Sequence, residues 1–233
     1  MHANPSSRSL GPLLLAGLFW GAIWGLYEAT VGYLVHAFVR MPGTSAVLLV
    51  PFAVYCMVRA MAASGTVRAA GVAAIIAASI KLVDLLLPNP TLIAVLNPAM
   101  AIVLEGAVFV GVGSWLSAGS FAREGRRPAL GTVAVAALVF SLGWRVLFLT
   151  WSAALAAGWS TGMLTGGWQG PVLGFVLRDG LMSAVVIVGV LAVAARGVSG
   201  ARGGAARAVP GASVVAAVLV LAVAAEVAVV MLG

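Results

Sequence analysis

The sequence predicts an all-α, polytopic integral membrane helical bundle, and three observations carry that reading. Of the 233 residues, 63% are hydrophobic and only 8% charged, whereas a soluble domain holds roughly 45–50% apolar and roughly 25% charged residues. The mean hydropathy is +1.15. The apolar residues also gather into seven runs, most of them close to the ~20 residues that a helix needs to cross a bilayer. A net charge of +7 and a pI near 11.1 would point to a polyanion in a soluble chain. Here the basic residues lie between the apolar runs, where they report orientation, so the reading includes no nucleic acid.

The runs cover about 11–38, 45–63, 69–87, 91–117, 129–157, 170–195 and 209–231. The start, MHANPSSRSLGPLLLAGLFW, has the look of a signal peptide, with Arg8 ahead of an apolar run. That run continues to about residue 38 without a small-x-small cleavage site, so it reads as a retained first span. Within it, Gly17, Gly21 and Gly25 form one row at i, i+4, i+8, and Trp20, Trp24 and Glu28 form a neighbouring row. The glycine row allows close approach of another helix, in this chain or in a partner. The Trp-Trp-Glu row has the composition of a ring-stacking wall with an orienting carboxylate, to which Tyr27, Tyr33 and Tyr55 are lesser candidates.

The fourth run contains Pro98. Either Asn97 caps a helix that begins at Pro98, leaving TLIAVLN as an interfacial or re-entrant piece, or a longer helix is kinked at the proline. The first, fourth and fifth runs exceed 25 residues and are expected to tilt, kink or project from the hydrocarbon. The sixth connection, RGVSGARGGAARAVPGAS, is a basic flexible linker ahead of a plain Ala/Val helix. The organisation expected is thus a cytoplasmic tail (1–10), a six-helix transmembrane body (11–195), a basic linker (196–208) and a seventh transmembrane helix (209–233).

Arginine placement sets the expected orientation. Arg8, Arg59, Arg68, Arg123, Arg126, Arg127, Arg196, Arg202 and Arg207 fall in the tail or at the second, fourth and sixth connections. Only Arg40 falls at the others. The alternation places the N-terminus inside and the C-terminus outside. Trp151, Trp159 and Trp168 flank the outer side as an interfacial belt does. The bias of Arg over Lys and the abundance of Ala, Val and Gly suggest a bacterial chain, hence the cytoplasmic (inner) membrane.

Seven ionisable residues lie inside the spans of the body: Glu28, Lys81, Asp84, Glu105, Arg145, Arg178 and Asp179. Facing lipid, each would cost roughly 2.5–3.5 kcal/mol on the insertion scale, together more than the ~5–15 kcal/mol stability of a typical domain. They must face protein or water and largely pair. At ~1.5 Å of rise per residue, all fall in the outward half of the membrane, as in a site reached from outside. The competing reading is a structural ion network, for which Lys81 and Asp84, three residues apart on one helix, are suited. One more acid than base points weakly to a cationic or zwitterionic ligand.

Other chemistry is set aside. The single cysteine, Cys56, forms no internal disulfide, and His2 and His36 alone build no metal site; no cofactor is expected. Gly158-Trp159-Ser160-Thr161-Gly162 matches a nucleophile elbow, but lies in a loop of a helical protein and not in a strand–turn–helix. No phosphate-cradling G-x-x-x-x-G-K-[ST] is present, so the chain supplies no ATPase of its own. An intramembrane lipid-modifying enzyme using Glu28 or Glu105 as general acid or base stays among the alternatives, with a non-enzymatic role preferred.

Over about residues 11–195 this layout resembles the substrate-binding S components of energy-coupling-factor transporters. Those are six-helix proteins with a cytoplasmic N-terminus, a pocket open to the outside and no ATPase. The resemblance rests on architecture and on Gly17, Gly21 and Gly25, which look like the small-xxx-small row that docks such proteins on a transmembrane coupling subunit. It implies uptake of a small, vitamin-like solute together with separate coupling and ATPase subunits. In that reading Glu28, Glu105, Arg145, Arg178, Lys81, Asp84 and Asp179 orient the solute while Trp20 and Trp24 stack on it. A proton-coupled carrier and a non-transporting subunit of a membrane complex are the remaining alternatives.

Overall fold

The computed structural model describes residues 10–32, 34, 44–86, 91–118, 129–156, 167–200 and 211–232. Among them there is no strand. Seven helices follow one another: α1 (Leu10–Tyr27, continued by a π-helical segment Glu28–Gly32), α2 (Thr44–Ser64), α3 (Arg68–Leu82, continued by a 3-10 turn Val83–Leu86), α4 (Leu92–Ala118), α5 (Leu130–Ala156), α6 (a π-helical segment Pro171–Arg178 running into Asp179–Gly200) and α7 (Ala212–Leu232). The first six have the length and apolarity to cross a membrane. In α7 the described apolar stretch, Ala212–Ala225, is shorter than a span.

Several boundaries differ from expectation. Pro98 lies inside a continuous α4, so TLIAVLN is its first two turns and not a re-entrant segment. Thr91 starts that helix, its carbonyl accepting from the backbone N–H groups of Ala94 and Val95. α6 runs on to Gly200, five residues into the stretch expected to be linker. Tyr33, His36, Arg40, the 158–162 motif, the tail before Leu10 and the remainder of the linker lie outside the described residues.

The helices form a ring in the order α1, α3, α4, α5, α6, α2, with α2 also touching α3 across it and α7 resting outside on α1. Small residues set the closest approaches, because van der Waals packing and not water exclusion drives helix association in lipid. A Cβ on Gly17 would meet Val72, one on Gly21 the Ala73 carbonyl oxygen, and one on Gly25 Ile80. The glycine row is therefore covered by α3. On the other side of α3, Gly71 faces Val110, Ala74 faces Gly106 and Val67 faces Gly113. Ala69, Ala70, Ala73, Ala74, Ala77 and Ala78 of this helix are all buried, which lets both neighbours come close.

These contacts also fix direction. Residue numbers rise together along α1 and α3, so those helices are parallel, whereas α3 and α4 run in opposite senses. Trp20 meets Tyr55, Tyr27 meets Phe52 and Gly32 approaches Leu49, so α1 and α2 are antiparallel. Ser141 pairs with Gly180 while Phe148 meets Phe175, so α5 and α6 are antiparallel as well. The ends of α1, α3 and α5 thus share one end of the bundle with the starts of α2, α4 and α6. Large apolar side chains such as Ile75, Val103, Val139, Leu173, Val185 and Val220 point outward, a surface suited to acyl chains and not to water.

Candidate functional site

Glu28, Lys81, Asp84, Glu105, Arg145 and Asp179 come from five helices, and the alternating directions gather them toward one end of the bundle. Arg59 marks the other end. Its guanidinium lies 5.3 Å from the ring centre of Trp20.

Arg145 is the most organised member. It is fully buried. One terminal nitrogen donates to the Ser141 carbonyl and hydroxyl, both at 2.8 Å, and the other donates to the Ser183 hydroxyl at 2.7 Å. Ser141 in turn donates to the Gly180 carbonyl at 2.8 Å. The cation stacks 4.5 Å from the Trp144 ring centre and 5.5 Å from that of Phe175. Charge-assisted hydrogen bonds and aromatic faces hold the two terminal nitrogens and tie α5 to α6, while the Nε is buried without a hydrogen-bond partner among the described residues. A Cβ on Gly180 would strike Leu142; the close approach of the two backbones puts Ser183 within reach of Arg145.

On α1 the Trp24 indole donates to Glu28 at 3.3 Å, and the second carboxyl oxygen lies back along the π-helical segment, 3.4 Å from where a Gly32 Cβ would stand. The π segments begin at Glu28 and end at Arg178, so both interruptions of α-helical geometry adjoin ionisable residues, a common association at functional sites. Lys81 and Asp84 form an ion pair of 2.8 Å. The other Asp84 carboxylate oxygen is buried without a hydrogen-bond partner, as is the Asn97 side-chain oxygen, and the α3–α4 register puts these two residues at the same height.

Glu105 is 5% exposed, and no hydrogen bond or ion pair joins its carboxyl to another described residue. It lies within electrostatic reach of Glu28 and Arg145. Contacts of Val108 with Gly143 and of Phe109 with Phe140 set Glu105 at the height of Arg145 on the adjacent helix. Arg145 also feels Asp179, and Glu28 feels Lys81. A chain of mutually coupled charges therefore crosses the bundle from α3 through α1, α4 and α5 to α6.

Two expected members stand apart. Arg178 pairs with its neighbour Asp179 at 2.8 Å, but its side chain is 60% exposed, so it turns to the outside of the bundle. Trp20 packs edge-on against Phe19 and Tyr55 near Arg59, in the other half. Trp24 is fully buried in the core, and its link to the charges runs through its N–H and not through an open ring face. Sequence reasoning missed Ser141, Ser183 and Trp144. A signal was present, since Ser141 and Trp144 precede Arg145 by four and one residues and Ser183 follows Asp179 by four.

Two cavities lined by described residues lie elsewhere. One of about 600 Å³ opens laterally between α2 and α6, lined by Pro51, Phe52, Tyr55, Val186, Gly189 and Val190. The other, about 130 Å³, lies between α2, α4, α5 and α6 beside Val58, Met61, Phe109 and Phe140. Both are apolar, and neither is lined by a charged residue. Among the described residues no group of three or more His, Cys, Asp or Glu is placed to hold a metal ion.

No family model matches this chain, and no curated protein or solved structure proves similar to it.

Proposed function

We propose that this chain is a multi-pass membrane protein that binds a small polar solute within the charged layer, reached from the outer side, for uptake. The observation that carries the reading is the convergence of Glu28, Lys81, Asp84, Glu105, Arg145 and Asp179 from five helices on one end of a bundle whose outer surface is apolar. Ionisable groups held inside a membrane bundle ordinarily mark a substrate or ion path. The arginine distribution supports an inside N-terminus, which turns the charged layer outward. Glu28, Glu105 and Arg145 are the orienting groups in this reading, with Lys81, Asp84 and Asp179 holding the charge balance around them.

The energy source follows from which partners the chain has. The resemblance to S components favours separate coupling and ATPase subunits. Since α3 covers Gly17, Gly21 and Gly25, such a subunit would dock on another face. A proton-coupled carrier is the second reading, favoured by the two coupled acids, Glu28 and Glu105, neither of which is bonded to a base. Native mass spectrometry of the gently purified protein should show a retained polar molecule of low mass; lipid alone, or nothing, overturns solute binding. Uptake into cells then separates the energy sources, because an uncoupler stops the carrier and ATP depletion stops the subunit-driven route.

A further inference from the structure

We propose that the lateral cleft between α2 and α6 holds one acyl chain of an acidic phospholipid, whose phosphate is bound by Arg59. The cleft lies apart from the charged layer, and the inference does not depend on solute binding. Its volume is about 600 Å³, and its walls are Pro51, Phe52, Tyr55, Val186, Gly189 and Val190. An apolar cleft opening sideways from a membrane bundle faces hydrocarbon, so lipid is the material at hand to fill it. Gly189 leaves room on the α6 side, since a Cβ there would meet nothing within 4 Å.

Arg59 supplies the site for the headgroup. Phe52, Tyr55 and Arg59 stand at i, i+3 and i+7 of α2, one stripe of a helix, so Arg59 continues the cleft wall toward the end of α2. Trp20 joins the two parts. Its ring packs edge-on against Tyr55 with centroids 5.9 Å apart, and its centre lies 5.3 Å from the Arg59 guanidinium. At ~1.5 Å of rise per residue, Pro51 lies about 12 Å along α2 from Arg59. That is close to the ~15 Å depth of one leaflet in a hydrocarbon core of ~30 Å. A lipid whose phosphate sits at Arg59 therefore reaches the whole cleft from a single leaflet.

Charge selects the lipid. No ion pair or hydrogen bond joins Arg59 to a described residue, and its Nε is buried without a partner. Glu28, Asp84, Glu105 and Asp179 lie toward the opposite end of the bundle. A guanidinium presents its donors in a planar fork that fits phosphate oxygens. In a zwitterionic lipid the headgroup cation offsets that phosphate charge, so an acidic lipid is the better complement. A second copy of the chain is a poorer occupant, because an apolar helix in the cleft would leave the Arg59 fork without an acceptor.

The test uses the full chain, delipidated in detergent and titrated with phosphatidylglycerol or phosphatidylcholine carrying the same palmitoyl and oleoyl chains. Native mass spectrometry counts the lipids retained at each concentration, and thermal unfolding follows stabilisation. Phosphatidylglycerol should be retained in preference, one molecule per chain at the tightest site. Arg59→Gln should weaken its binding about 10- to 100-fold, the range set by hydrogen bonds to a charged group, and should bring the two lipids level. Arg59→Lys keeps the charge without the fork and should retain part of the preference. Arg68 is exposed at the same end, and Arg68→Gln should change nothing, which separates a built site from general attraction. Gly189→Leu fills the cleft from a position with free space and should weaken binding of both lipids. If Arg59→Gln does not accumulate, the wild-type preference and Gly189→Leu decide. Equal retention of the two lipids by the wild type, equal losses in Arg59→Gln and Arg68→Gln, or unaltered binding in Gly189→Leu overturns the proposal. So does a dimer that excludes lipid from the cleft. Phosphatidylglycerol retained without any solute would support the lipid site while overturning solute binding.

Discussion

The consequences of a single buried guanidinium are sharpest at Arg145. Removing one partner of a buried charged group costs more than the bond itself, because the group left behind stays desolvated. Ser183→Ala leaves one Arg145 nitrogen without an acceptor and should destabilise by about 1.5–3 kcal/mol. Arg145→Met removes the positive charge from between Glu105 and Asp179 and should cost about 3–5 kcal/mol. Arg145→Lys should not restore wild-type stability, since an ammonium cannot span both serines in one plane while lying flat on Trp144. Thermal unfolding in detergent orders the three variants; an unperturbed Arg145→Met would show that the serine clamp carries no stability. Residue types at this site were legible in the sequence, since an arginine within an apolar run demands partners. Which groups answer the demand was not, because hydroxyls across the α5–α6 seam depend on a crossing that one helix's sequence does not encode.

For the helices, the apolar runs predicted the six that are long enough to cross a membrane, whereas the seventh run, expected as a transmembrane helix, gives a described apolar stretch, Ala212–Ala225, shorter than a span; the other departures have physical causes. α4 passes through Pro98 instead of starting there, although the ring removes the N–H that would bond the Ala94 carbonyl; membrane helices tolerate such a proline where neighbouring helices surround them. α6 extends to Gly200 because Ala and Val continue the helix until glycines accumulate. The π segments had no sequence signal, since they arise from an extra residue accommodated within the helical ladder. Close packing gives a direct test. A Cβ on Gly21 would stand 2.5 Å from the Ala73 carbonyl oxygen, a backbone atom that cannot swing aside. Gly21→Ala should therefore destabilise by about 1–3 kcal/mol through overpacking. Gly189 has nothing within 4 Å of the same position, so Gly189→Ala should be neutral or stabilise by up to about 1 kcal/mol through helix propensity. Equal melting temperatures for the two variants would mean that α1 and α3 are not in close contact in the membrane.

On the scale of the whole molecule, hydropathy shows how many helices there are but not their order around the ring, because no run of apolar residues states which neighbour it faces. Only the glycine row announced a contact, and it left open whether the neighbouring helix belonged to this chain. The one global coordinate that packing lacks is the direction across the bilayer, for which arginine placement makes a testable prediction. Thr66 lies in the tight turn after α2, whose chain reversal uses the left-handed φ of 72° at Gly65; Gln169 lies just ahead of α6, two residues before Pro171. The alternating helix directions put these two positions at opposite ends. If basic connections stay inside, a cysteine replacing Gln169 should react with a membrane-impermeant maleimide added to intact cells. One replacing Thr66 should react only after permeabilisation. Cys56 is fully buried and should contribute no background. Because the charged layer lies toward the end that carries Gln169, the labelling also decides from which compartment a solute reaches Glu105. The reverse pattern would make the layer face the cytoplasm and would turn uptake into export or intracellular sensing.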